Sequence, residues 1–123
     1  MKQEDKQLLL VDLCARLPYS IICNCLHSIN CKATIIDVED MTVYYTDCDE
    51  WESIEHCKPY LRSMSSMTDE EENEYRAINC YEGLFPCNED ALDYFLSNHF
   101  DYRGLIPKGL AIEVTEENNP YKD

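Results

Sequence analysis

The chain has 123 residues and a formal net charge of −15, which arises from 25 Asp and Glu residues against 10 Lys and Arg residues. This balance argues against direct binding to nucleic acids or anionic membrane surfaces, because both interactions depend on Lys and Arg. The length fits a single domain. No uncharged run reaches the roughly 18 residues needed to span a bilayer. Asp12 and Arg16 interrupt the N-terminal apolar stretch, unlike the apolar core of a signal peptide. We therefore expect a cytoplasmic protein.

The first predicted element is an amphipathic helix over residues 3–17. Its apolar residues recur at helical spacing and are Leu9, Leu10, Leu13, Cys14 and Leu17. The charged residues between them, including Asp12 and Arg16, are expected to face water. Pro18 ends the helix because it disfavours the helical conformation of the preceding residue.

β-Branched and aromatic runs follow and predict an antiparallel meander of three or four strands. These runs cover residues 19–27, 34–38, 42–46 and, as a short fourth strand, 51–56. The composition changes at Lys58, and the Pro-, Ser- and Met-containing residues up to 67 indicate a connector.

Two helices are predicted in the C-terminal half. Thr68 and Glu71 have the spacing of a capping box, which starts a helix that runs to about Tyr81. Asn88 caps a further helix that continues through Asn98.

The remaining residues predict a loop over 100–108, an edge strand over 110–114 and a flexible polar tail over 115–123. The expected fold class is α+β. A small antiparallel meander, with an SH3-like sheet as one form of it, is packed by an N-terminal helix and two C-terminal helices. Residues 1–114 are expected to form the single domain.

Three segments carry a resemblance to a known group of proteins: LLLVDLCARLPY (8–19), KPYLRSMSSMTDEE (58–71) and NHFDYRGLIPKGLAIEV (98–114). Together they resemble a family of short, acidic, uncharacterised proteins encoded by phages and mobile elements of anaerobic gut bacteria. The resemblance implies a cytoplasmic accessory protein and brings no catalytic or binding residues with it.

The eight cysteines are expected to be mostly free, buried thiols, because a disulfide framework belongs with secretion and no Cys-x-x-Cys pair is present. One alternative is a zinc-stabilised module or small metal-dependent enzyme. Its ligands would be Cys23, Cys25, His27 and Cys31, since period two places the first three on one face of a strand.

No catalytic residue and no cofactor is predicted. A cysteine nucleophile paired with one of the three histidines needs a lowered thiol pKa, which comes from a helix N-terminus or a nearby cation. No cysteine lies at a predicted helix start, and the negative field of the chain raises thiol pKa values.

The predicted binding surface is the stretch from Asp37 to Glu55, which lacks Lys and Arg. Its acidic residues are Asp37, Glu39, Asp40, Asp47, Asp49, Glu50, Glu52 and Glu55. The candidate interface anchors are Tyr44, Tyr45, Trp51, Tyr102 and Arg103, because Tyr, Trp and Arg are enriched in interfaces. For Tyr102 and Arg103, a loop that is locked onto the sheet is the favoured alternative. The sequence therefore predicts a protein-binding module for a basic partner, such as a nucleic-acid-binding host protein. It does not predict the oligomeric state.

Overall fold

The computed structural model describes residues 1–79 and 85–122, which form three α-helices and one six-stranded sheet. The helices are α1 (Gln3–Arg16), α2 (Asp69–Ile78) and α3 (Glu89–Ser97). The strands are β1 (Ile22–Asn24), β2 (Cys31–Asp37), β3 (Thr42–Tyr45), β4 (Glu50–Ser53), β5 (Lys58–Leu61) and β6 (Ile112–Glu113). In this described part of the chain, no helix is long and apolar enough to cross a membrane.

The sheet has the strand order β4-β3-β2-β1-β5-β6. The first four strands form the predicted antiparallel meander, β5 pairs antiparallel with β1, and β6 pairs parallel with β5. The α+β class, with one N-terminal helix and two C-terminal helices, is confirmed. The sheet is open, with β4 and β6 at its edges, and is therefore larger than the predicted meander and differs from a closed SH3-like arrangement.

Strand β5 corrects the predicted connector that begins at Lys58. Pro59 lies opposite Cys23 of β1, and Tyr60 and Leu61 pair with β6. Proline weakens a strand prediction because it lacks the N–H needed for a sheet ladder. The buried side chains that follow it nevertheless give this segment a place in the interior of the sheet.

The N-termini of α2 and α3 agree with the sequence. The Glu71 N–H donates to the Thr68 hydroxyl at 3.1 Å, and the Glu71 carboxylate accepts the Thr68 N–H at 3.0 Å, so the capping box is confirmed. The Asn88 side chain accepts the Ala91 N–H. Helix α2 ends at Ile78, and its predicted end at Tyr81 lies outside the described residues.

The apolar interior consists of two clusters. In the first, α1 packs Leu9, Leu10 and Leu13 against the inner face of the sheet, where Val43 and Tyr45 are buried. The second is aromatic and lies around α2 and α3, with Tyr75, Ala91, Phe95 and Phe100 as its buried members. Tyr75 stacks on Phe95 with ring centroids 4.3 Å apart.

Asp12 and Arg16 are fully buried, so the prediction that they face water is wrong. The Arg16 Nε donates to the Asp12 carboxylate at 2.7 Å, and its Nη2 donates to the carbonyl oxygen of Phe100 at 2.6 Å. Arg103 lies 3.3 Å from the same carboxylate. The apolar stripe of α1 is interrupted by a charged pair because the 100–105 segment supplies partners that the local sequence pattern does not reveal.

Tyr121, in the tail that the sequence predicts to be flexible, contacts the sheet. The Tyr121 hydroxyl donates to the Tyr60 carbonyl oxygen at 2.8 Å and accepts the Ile22 N–H at 3.0 Å. Its ring stacks on His99, with centroids 3.6 Å apart. One aromatic residue therefore ties the chain end to β1 and β5.

Replacing Asp12 by Ala removes the carboxylate and leaves the Arg16 guanidinium buried. We expect Asp12→Ala to lower the free energy of unfolding by about 3–5 kcal/mol, the usual cost of breaking a buried ion pair. Urea denaturation measures this change. Glu4→Gln, on the exposed side of the same helix, is the control and should change stability by less than about 0.5 kcal/mol. Similar small effects of both substitutions would contradict the role of the pair.

The ion pair between Arg62 and Glu71 predicts a pH dependence of stability. Two hydrogen bonds of 2.7 Å from Arg62 lower the pKa of Glu71 to about 2. Because this lies below the unfolded value, Glu71 stabilises the fold at neutral pH, and its contribution is lost as the pH falls from about 5 to 2.

We expect Glu71→Gln to lower the urea midpoint at pH 7 and to reduce its fall in acid. Glutamine retains the capping box, so the substitution isolates the charge. Glu72→Gln, which removes an exposed pair with Arg76, is the control and should leave the acid dependence unchanged. An unaltered acid dependence in Glu71→Gln would contradict the prediction.

Candidate functional site

The outer face of the meander carries a row of large side chains that runs across three strands. Ile35 of β2 lies opposite Tyr44 of β3, and Tyr44 lies opposite Trp51 of β4. The Tyr44 and Trp51 rings are in contact, with centroids 5.4 Å apart. Ile35 and Trp51 are each 50% exposed. Helix α1 covers the opposite face of the sheet, so this row is open to solvent.

Acidic turns lie at both ends of strand β3 and frame this row. The turn after β2 contains Glu39 and Asp40, and the turn before β4 contains Asp47 and Asp49, all of them exposed. The Tyr44 hydroxyl donates to the Asp49 carboxylate, which raises the pKa of Tyr44. We call Ile35, Tyr44 and Trp51, together with Asp37, Glu39, Asp40, Asp47 and Asp49, the acidic aromatic face.

Several of these carboxylates also hold the turns in shape. Asp37 accepts the Asp40 N–H at 3.0 Å, and Asp47 accepts the Lys32 N–H at 2.8 Å. Each carboxylate can accept further hydrogen bonds because both oxygens carry several lone-pair sites. These acidic residues are therefore fixed in position and still able to contact a partner.

The other three predicted acidic residues lie away from this face. Glu55 pairs with Lys6 of α1 at 2.9 Å, which lowers the pKa of Glu55. Glu52 is only 8% exposed and accepts the Leu26 N–H at 2.8 Å. Glu50 is exposed and lies 3.9 Å from His27.

The burial of Tyr45 and of Glu52 corrects the predicted binding surface, and both have the same physical reason. Tyr45 was expected as an anchor, but it is fully buried beside the core cysteines, and Glu52 is buried opposite Val43. Side chains alternate across a strand, so only every second residue of β3 and β4 reaches the outer face. Tyr44 and Trp51 occupy the exposed positions.

Tyr102 and Arg103 make internal contacts. Tyr102 stacks on Phe95 with centroids 5.8 Å apart, and Arg103 lies over the Tyr102 ring and beside Asp12. The Asp101 carboxylate accepts the N–H groups of Leu105 and Ile106 at 2.8 and 2.9 Å. The contacts of Tyr102 and Arg103 hold the two side chains against α1 and α3, whereas the alternative from the sequence was a loop locked onto the sheet.

Three cysteines from two loops meet at one end of the meander. The Sγ atom of Cys25 lies 3.7 Å from those of Cys31 and Cys48, and the last two are 3.2 Å apart. Cys25 follows β1, Cys31 begins β2, and Cys48 lies in the turn between β3 and β4. We call these three residues the thiol cluster.

The thiol cluster differs from the ligand set predicted from the sequence. Strand β1 ends at Asn24, so the period of two does not continue to His27. Cys23 is fully buried in the apolar core, and His27 lies with Glu50 and Glu52, their nearest ligand atoms within 4.8 Å of one another. Cys48 was missed because nothing in its local sequence links it to a residue 17 positions earlier.

The thiols of Cys23, Cys25 and Cys31 have raised pKa values, which is the opposite of what activates a cysteine nucleophile. Burial raises the pKa of Cys31, and hydrogen bonds with the other two thiols raise it further. Burial also raises the pKa of Cys23 and of Cys25. Burial lowers the pKa of His99 to about 4, and this ring is stacked on Tyr121. Neutral thiols of this kind are suited to packing or to binding a soft metal ion, which displaces their protons.

Comparisons with known proteins found no matching protein family, curated protein or solved structure. The resemblance to phage and mobile-element proteins therefore stays a prediction from the sequence.

The electrostatics of the acidic aromatic face can be measured directly, because Trp51 is the only tryptophan. We expect its fluorescence to be quenched more strongly by caesium than by iodide, relative to free tryptophan, since the surrounding carboxylates attract cations and repel anions. Added salt should reduce this difference because the charges are exposed. Equal quenching by the two ions at low salt would contradict a negative potential at Trp51.

Proposed function

We propose that this protein is a small binding module whose acidic aromatic face engages a basic segment of a partner protein. The observation that carries the proposal is the outward-facing row of Ile35, Tyr44 and Trp51 between two acidic turns, in which Ile35 and Trp51 are half-exposed. Soluble proteins rarely leave a tryptophan half-exposed within a contiguous apolar row, and such patches mark interaction sites.

The two chemical components of this face have separate roles in binding. Tyr44 and Trp51 offer rigid apolar area, which supplies affinity when a partner covers it. The carboxylates at either end attract Lys and Arg over a distance of about one Debye length, which speeds association and fixes orientation. Arginine suits both components, because it pairs with carboxylates and stacks on aromatic rings.

The same features favour a protein partner over nucleic acid. Phosphate groups would meet the carboxylates of both turns, and the stretch from Asp37 to Glu55 has no Lys or Arg to bind them. A nucleic-acid-binding protein presents the complementary surface, because its own basic patch must accept phosphates. We therefore propose a basic protein of this kind as the partner.

The test uses short peptides rich in Arg and Lys, with and without interleaved aliphatic residues, and measures binding by fluorescence anisotropy at low and high salt. We expect Trp51→Ala to weaken binding by roughly tenfold, as for a central aromatic contact. The peptides with aliphatic residues should bind more tightly, and salt should weaken both.

A matched pair of charge variants tests whether the location of the charge matters. Glu39→Gln with Asp40→Asn removes two acids from the acidic aromatic face, and Glu70→Gln with Asp90→Asn removes two exposed acids from α2 and α3. We expect only the first variant to lose most of the salt-sensitive affinity. Equal losses in both variants, or no effect of Trp51→Ala, would overturn the proposal. A pull-down from a host lysate at low and high salt, repeated with the same variants, then identifies the partner.

A further inference from the structure

The thiol cluster brings together three sulfur atoms from two separate connections of the meander. Cys25 and Cys31 come from the β1–β2 loop and its end, and Cys48 comes from the β3–β4 turn. Cys25 and Cys48 are partly exposed, and Cys31 is buried. The cluster therefore lies close to the protein surface, where an ion can approach it.

The separations between the sulfurs match those of a tetrahedral metal site. Thiolates at about 2.3 Å from zinc lie about 3.8 Å from one another. Two of the observed separations are 3.7 Å, and the third is 3.2 Å. The three Sγ atoms lie on a circle with a radius of about 2.1 Å. An ion at about 2.3 Å from each sulfur would therefore lie about 1 Å out of the plane of the three atoms. An undistorted tetrahedral ion would lie about 0.8 Å out of that plane.

We propose that Cys25, Cys31 and Cys48 bind one zinc ion through three thiolates, with a water molecule as the fourth ligand. Binding forms three Zn–S bonds and releases the three thiol protons to solvent. The resulting unit of one zinc ion and three thiolates has a net charge of −1. Thiolate ligands favour soft or borderline ions such as zinc over magnesium or calcium.

Two other interpretations of the cluster fit less well. A disulfide needs a sulfur separation of about 2.05 Å, and it would join two of the cysteines and leave the third without a role. Weak S–H hydrogen bonds account for pairwise contacts, but they do not require three cysteines from two connections of the meander to converge on one point. A metal ion uses all three sulfurs at once.

The proposed ion would have a structural role. It would cross-link the loop after β1 to the turn before β4, and that turn contains Asp47 and Asp49 of the acidic aromatic face. Metal binding would contribute to folding stability, because the ligands are separated in the unfolded chain. Zinc would thus hold one end of the meander in register, whether or not the acidic aromatic face binds a basic protein.

The test uses the full-length protein, purified under a metal-free reductant, loaded with zinc and then dialysed. We expect one zinc ion per chain by elemental analysis and a sulfur-to-cobalt charge-transfer band when cobalt replaces zinc. Zinc at about 100 times its dissociation constant should raise the unfolding temperature by roughly 10 °C.

Single substitutions assign the ligands. Cys48→Ser lies in a partly exposed turn and should abolish retained zinc and the cobalt band while circular dichroism shows a folded chain. Cys25→Ser should do the same. Cys14→Ser, which changes an exposed cysteine on α1, is the matched control, and His27→Ala tests the set predicted from the sequence. Both should retain one zinc ion.

Three results would overturn the proposal. One is the absence of retained zinc in the reduced wild-type protein. Another is full zinc retention in Cys48→Ser, or its loss in His27→Ala. The third is a disulfide between Cys31 and Cys48, detected as a mass lower by two hydrogens, in protein that takes up no metal even after reduction.

Discussion

The buried ion pair between Asp12 and Arg16 is the interaction on which the arrangement of helices and sheet depends. Arg16 bonds both to Asp12 on its own helix and to the Phe100 carbonyl oxygen, so it links the sheet-covering helix to the aromatic cluster. A buried ion pair stabilises a fold only when its geometry is good and further hydrogen bonds satisfy its remaining polar atoms. The position of α1 is therefore coupled to the conformation of the 99–105 segment.

That segment gathers most of the arginines of the chain. Arg16 and Arg103 both contact Asp12, and Arg62 lies over the Phe100 ring while pairing with Glu71. The interior near Phe100 is consequently rich in positive charge, which contributes to the low pKa of His99. These cations serve internal contacts at the helical end of the molecule, and the meander keeps its uncompensated carboxylates. The uneven distribution of charge along the sequence therefore corresponds to an uneven distribution of charge over the folded structure.

The meander combines two features that a purely structural sheet does not need. Its outer face exposes Trp51 in contact with Tyr44, and one of its ends brings the three sulfurs of the thiol cluster together. Both include the turn between β3 and β4, because Cys48 lies between the acidic residues Asp47 and Asp49. A zinc ion at this turn and a basic partner on the adjacent face would both act on the meander. The two proposals therefore concern the same part of the fold, but neither depends on the other.

Local patterns in the sequence determined the helices, the capping box at Thr68, the meander and the α+β class. These features follow from the spacing of apolar residues and from side chains that cap nearby N–H groups. The sequence also identified the acidic stretch. It did not show that Tyr44 faces outward while Tyr45 is buried, or that Glu52 is buried. Only the tertiary structure decided which residues share a face, since the exact ends and register of the strands determine this. It also decided that Asp12 and Arg16 are buried and that Cys48 joins Cys25 and Cys31. Those contacts join residues that are distant along the chain, and a local pattern carries no information about such pairs.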